Sequence, residues 1–295
     1  MSWKPFVKSN TKAVTITIPM RSVMFSIHPG NQFDGQYAAT VGTLGERKVN
    51  WDGSVDDANR RRGPMKAYEG VPGIPGQSPR ISDDMARTWA DVVATARRSA
   101  ADGLVVGTSG NVSARVGDVV LVTPSGIPFD RLGPDDLVGV DLDGRPVLGE
   151  AVPTSELPMH LAVYRATDAA AIVHTHAVHA TAVSTLVTEV PTIHYMAAAL
   201  GGPVRVAPYA LYGTDELAAH VLAALADRTG CLLRNHGTLT YGATLEQAYD
   251  RTAQLEWMCR VWLTAVSVPG RTPSLLGPDQ LAETAAKLRG YGQPG

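Results

Sequence analysis

The stretch AAIVHTH, residues 170–176, decides how this chain is read. Four small or apolar residues, two of them β-branched, run directly into His-Thr-His, and a short apolar run of this kind reads as a buried strand. Side chains two apart along a strand project to the same face, so His174 and His176 stand side by side within reach of one metal ion. A metal site that performs chemistry typically takes three protein ligands and keeps one position open.

The third imidazole is sought near the ends of other strands. His236 follows the apolar run GCLLR (230–234), in a turn with Asn235 and Gly237, where α/β proteins commonly place functional groups. Glu156, in PTSELPMH (153–160), supplies an acid at the start of a helix, as ligand or as base. Of the eight histidines, His160 and His179 fall on predicted helices and read as structural. His194 reads as packing beside Tyr195, and His28 and His220 have no supporting context. An isolated H-x-H also arises by chance, so the pair gains weight only from its surroundings.

Those surroundings alternate. Helical spacing over 81–102 places Trp89, Val92, Val93 and Ala96 on one face behind a Ser82 start. Strands are expected at 118–123, 170–176, 204–207 and 230–234, and helices at 158–166, 179–186, 214–226 and 245–265. Alternating strands and helices indicate an α/β layered fold. Three segments rich in glycine and hydroxyls, GTSGNVS (107–113), TPSGIP (123–128) and Thr154–Ser155, could cradle an anion with backbone amides. Neither the Walker-type nor the dinucleotide-type glycine spacing is present.

Composition bounds the rest. The chain has 295 residues, 44% hydrophobic and 18% charged, with a formal net charge of −2. Basic residues are concentrated before residue 80 and the remainder is mildly acidic, which argues against a nucleic-acid-binding surface. No apolar run is long enough to span a bilayer. Two isolated cysteines, Cys231 and Cys259, make no disulfide framework and suit a cytoplasmic setting. The opening residues, interrupted by Pro19 and Arg21, do not read as a cleavable leader. Residues 1–80 lack sustained periodicity and contain the run GVPGIPGQSP (70–79). They read as a disordered extension or a misassigned N-terminus, with Met65 the alternative start, ahead of a catalytic domain at 81–295.

Read together, GTSGNVS, VTPSGIPFDRL, PTSELPMHLAVY, IVHTHAVHATAVS, PTIHYMAAALGG, APYALYGT and LLRNHG strongly resemble, in order, the class II aldolase/adducin family. The resemblance covers about residues 85–292 and implies a three-layer αβα fold around a mixed central sheet. It implies one zinc ion per subunit on His174, His176 and His236, with Glu156 at the metal and moving a proton. Asn111, Ser125, Gly126, Thr154 and Ser155 match the segments that hold the substrate phosphate. Tyr195 matches an acid that reaches the site of a neighbouring subunit, and Tyr291 a tail residue that covers the site, in cyclic homotetramers. Tyr212 stands where the family's fuculose-phosphate enzymes have phenylalanine, a change that bears on sugar preference.

The reaction so implied is reversible retro-aldol cleavage of a ketose 1-phosphate, of the L-fuculose 1-phosphate kind, to dihydroxyacetone phosphate and an aldehyde. An imine route is disfavoured because Lys287 is the only lysine after residue 80. The competing readings are a 5-deoxyribulose or methylthioribulose 1-phosphate aldolase, a pentulose 5-phosphate 4-epimerase, and a non-enzymatic adducin-like module.

Overall fold

Every residue of strand β5 (Ala171–Thr175) is buried, because antiparallel neighbours flank it on both sides in the computed structural model, which describes residues 81–290. The neighbours are β1 (Asn111–Val116) and β8 (Gly237–Gly242). Outward from β1 lie β2 (Val119–Val122), β3 (Gly139–Asp141) and β4 (Pro146–Leu148). On the other side come β7 (Gly230–Leu233) and β6 (Val206–Ala207). The described residues thus form an eight-stranded sheet in the order β4-β3-β2-β1-β5-β8-β7-β6. Every pairing is antiparallel except β6 with β7, so the sheet is mixed.

Among the described residues there are six α-helices: α1 (Asp83–Ala101), α2 (Leu157–Ala166), α3 (Val178–Leu186), α4 (Asp215–Ala224), α5 (Leu245–Val266) and α6 (Pro278–Leu288). Successive residues of a strand face opposite layers, and two apolar cores result. Val112, Leu121, Val173 and Leu232 pack with Trp89 of α1 and Leu255 of α5. Val120, Val122, Ile172, Leu233 and Leu239 pack with Tyr164 of α2 and Leu217 of α4. The three-layer αβα arrangement implied by the sequence is therefore the one observed. Its helices begin where their caps dictate: Ser82, Thr214 and Thr244 accept hydrogen bonds from the amides of Met85, Leu217 and Gln247.

Several elements differ from the sequence reading. GTSGNVS contains the start of β1, because Val112 and Ala114 alternate into the core and outweigh the glycines. β8 and α6 had no distinct signal. β5 ends at Thr175, so His176 lies just past the strand rather than within it. Residues 1–80, read as an extension or misassigned start, and Tyr291 lie outside the described residues. Among the described residues no helix is long and apolar enough to cross a membrane.

Backbone closeness at the end of β5 rests on Gly237. A Cβ there would sit 2.1 Å from the Thr175 carbonyl oxygen and 3.2 Å from the Cα of His176. We expect Gly237→Ala to destabilise the fold by about 3 kcal/mol, seen as a lowered urea midpoint at unchanged m-value; a midpoint within error of wild type would contradict this close approach.

Candidate functional site

Three chain segments meet at one end of the sheet. His174 is the fourth residue of β5 and His176 follows its end. His236 occupies the turn between β7 and β8, and Glu156 is the residue from which α2 begins. The His236 turn is tight. Asn235 adopts φ 55°, its amide is held by Ser184 Oγ at 3.0 Å, and the His236 amide donates to Leu233 O at 3.1 Å.

Ligand atoms of Glu156, His174, His176 and His236 all lie within 4.8 Å of one another. His174 Nε2 is 3.0 Å from His176 Nε2 and 3.1 Å from Glu156 Oε2, and His236 Nε2 is 3.2 Å from Glu156 Oε1. The three imidazole planes stand at 74°, 83° and 86° to one another, so their nitrogens converge without stacking. Fully buried His174 donates from Nδ1 to the Thr238 carbonyl at 2.7 Å, which orients its Nε2 toward the cluster.

The electrostatics match that arrangement. Burial, with His174 and His236 adding to it, pushes His176 down to about 3, so its imidazole is neutral near pH 7. Burial acts to raise the Glu156 carboxyl, but the adjacent His174 and His236 outweigh it and hold the group below the usual carboxylate range. Although Glu156 stands at the N-cap of α2, its side chain does not cap the helix. Its buried Oε1 makes no hydrogen bond. Three imidazoles and a carboxylate presented together at one point form the donor set that holds a divalent metal ion.

The cluster forms one wall of a cavity of about 360 Å³. Asn111, Ser125, Gly126, Thr154 and Ser155 all line it, as do Glu156, His176 and His236. The hydroxyl-bearing segments are tied together by Ser125 N–H to Val152 O at 2.8 Å and Thr154 N–H to Thr123 O at 3.1 Å. Ser125, Gly126 and Ser155 are exposed, whereas Thr154 is buried. Asn111 is also buried, and its amide nitrogen donates to Glu156 Oε2 at 2.9 Å.

Tyr195 is not among the residues lining this cavity. It begins a short 3-10 helix (Tyr195–Leu200), is 49% exposed, and borders a separate cleft with His194, Trp257 and Lys287. Tyr291 lies outside the described residues. Tyr212 lines the cavity, joined by Tyr209 and Asn235, which the sequence reading did not single out. Asn235 carried a usable signal as the residue preceding His236; Tyr209, in an irregular stretch after β6, carried none.

Residues 90–263 match the family described as the class II aldolase and adducin N-terminal domain. Over 192 residues the chain is 42% identical to the L-fuculose phosphate aldolase of Escherichia coli O6:H1 (strain CFT073), covering 64% of this chain and 88% of that one. It is 35% identical over 206 residues to the 5-deoxy-D-ribulose 1-phosphate aldolase of Bacillus thuringiensis serovar kurstaki, covering 69% and 96%. A solved structure of L-fuculose 1-phosphate aldolase superposes with a TM-score of 0.66 at 33% identity, covering 70% of this chain and 97% of that one. With the match spanning more than half of its length, the chain belongs to the class II aldolase and adducin family.

Proposed function

We propose that this protein is a zinc-dependent aldolase that reversibly cleaves a ketose 1-phosphate, of the L-fuculose 1-phosphate type, into dihydroxyacetone phosphate and an aldehyde. The observation that carries the reading is the cluster of three imidazoles and one carboxylate in the wall of a cavity whose other side is lined with hydroxyls and a glycine turn. A divalent cation held by His174, His176, His236 and Glu156 would act as a Lewis acid on the negative charge that develops on the ketose oxygens as the C3–C4 bond breaks.

The chain's own residues supply the remainder. Ser125, Gly126, Thr154 and Ser155 bind the phosphate through hydroxyls and backbone amides, which fixes the reacting carbons beside Glu156. Asn111 borders the same pocket. Glu156 delivers a proton to C3 after cleavage and removes it in the condensation direction, using the carboxylate oxygen that has no hydrogen bond. Tyr195 of a neighbouring copy takes the proton of the C4 hydroxyl in cleavage and returns it in condensation. Its exposure, away from its own chain's cavity, suits that role. Tyr291 closes over the site. The active assembly is then a homotetramer with sites at subunit boundaries, its catalytic domain 81–295, working in the cytoplasm.

A pentulose 5-phosphate 4-epimerase, which re-forms the bond that it breaks, would share the metal but tends to carry Asp where Glu156 stands here. Relatives named as 5-deoxyribulose and 5-methylthioribulose 1-phosphate aldolases favour cleavage on a different sugar tail as the second reading. Exposed Tyr212 at the cavity mouth is a candidate for sensing that tail.

His176→Ala should lose bound zinc and activity together, with metal content read by elemental analysis after dialysis; wild-type occupancy would contradict the site. Glu156→Gln should retain weakened metal binding yet drop kcat by roughly 10²- to 10⁴-fold, and full turnover would remove the acid from the mechanism. The direct assay follows dihydroxyacetone phosphate released from L-fuculose 1-phosphate and from 5-deoxyribulose 1-phosphate, with and without chelator. Chelator-sensitive release from either identifies the lyase, and release from neither by zinc-loaded protein refutes it.

A further inference from the structure

Behind Glu156 lies a row of buried polar side chains that the proposed chemistry does not use. Asn111 gives its amide hydrogen to Glu156 Oε2 at 2.9 Å, and its Oδ1 lies 2.5 Å from His160 Nε2. His160 Nδ1 is 2.7 Å from Ser113 Oγ, which in turn is 2.8 Å from the Tyr164 hydroxyl. Each of these residues is at least nine-tenths buried. Two elements contribute: β1 supplies Asn111 and Ser113 on one face, while α2 supplies His160 and Tyr164 one turn apart.

The direction of every hydrogen bond in this row is fixed by its last member. A ligand carboxylate can only accept, so Asn111 must turn its NH₂ toward Glu156 and its carbonyl toward His160. His160 must then carry its proton on Nε2 and accept on Nδ1. Ser113 must donate to that nitrogen and accept from Tyr164. Burial holds His160 down to about 3 and pushes the Tyr164 hydroxyl up, so the imidazole stays neutral and the phenol keeps its proton.

We infer that His160 is a positioning residue: through Asn111 it locks Glu156 in the rotamer that places Oε2 beside His174 and Oε1 beside His236. Asn111 without His160 would be anchored at one end only. With the Nε2–H of His160 donating to its carbonyl, the amide is held at both ends in the orientation that the carboxylate requires. The role rests on the reading of Glu156 as metal ligand and proton carrier. It adds a dependence of that carboxylate on a side chain that touches neither metal nor substrate.

Two measurements on the full chain test it. In nitrogen-15 spectra of histidine-labelled, metal-free protein, His160, identified by its loss in a variant, should be the neutral Nε2–H tautomer between about pH 6 and 8. An Nδ1–H tautomer or an imidazolium would overturn the inference. In zinc titrations against a competing chromophore, His160→Phe should weaken affinity roughly 10- to 100-fold. It should also lower kcat with little change in KM. His160→Gln, which keeps a donor at the Nε2 position, should recover most of both losses. A folded His160→Phe protein with wild-type zinc affinity and kcat would overturn the inference. A wild-type chain that binds no zinc would instead sink the aldolase reading, and the tautomer would still decide the hydrogen-bond row. Because the tautomer is read on the wild-type side chain, a His160→Phe chain that fails to fold does not shield the proposal.

Discussion

The molecule depends on one constraint: β5 is held by backbone hydrogen bonds on both edges and covered by apolar side chains on both faces. Its register against β1 sets Asn111 opposite His174, and its register against β8 sets Leu239 opposite His174 and Thr238 opposite Thr175. From that second pairing the Thr238 carbonyl falls beside the His174 ring and selects its tautomer. A slip of one residue in either ladder would turn His174 into the other layer and separate it from Glu156. The donor set is thus fixed by sheet register before any side chain adjusts.

Close backbone contact serves the same end. Gly237 lets β8 begin against Thr175, and Gly110, with φ +79° and no room for a Cβ beside the His174 carbonyl, lets β1 begin on the opposite edge. The two glycines bring the segments bearing His236 and Asn111 inward from either side. Three imidazoles and a carboxylate aimed at one point form a poor arrangement for a protein interior and a good one for a cation. Its rigidity comes from the mixed sheet, and its access to solvent from the irregular segments at 123–126, 152–156 and 208–213 beside the cavity.

Much of this was legible in the residues. AAIVHTH announced a buried strand because its side chains are apolar on both faces, and GCLLR did so for the same reason. Ser82 marked a helix start through cap chemistry that acts within one turn. The clustering of His236 and Glu156 with the H-x-H pair was inferred from placement at element ends, and the family resemblance sharpened it. What escaped was set by distant partners. β1 was concealed by glycines and polar residues whose purpose lies across the sheet, and β8 by threonines at positions 238 and 240 that are buried by pairing and by helix α5. His160 looked structural because its partners, Asn111 and Ser113, lie 49 and 47 positions away.

Glu156 occupies the position where a helix ordinarily receives a capping side chain, and it spends its carboxylate elsewhere. An Asp, Ser or Thr there would close the first turn of α2 and add about 1 kcal/mol of stability, yet would shorten the reach to the histidines. Heat tolerance and turnover therefore compete for one side chain. A variant made more heat-tolerant without loss of the donor set must leave this helix start open and gain its stability elsewhere in the fold.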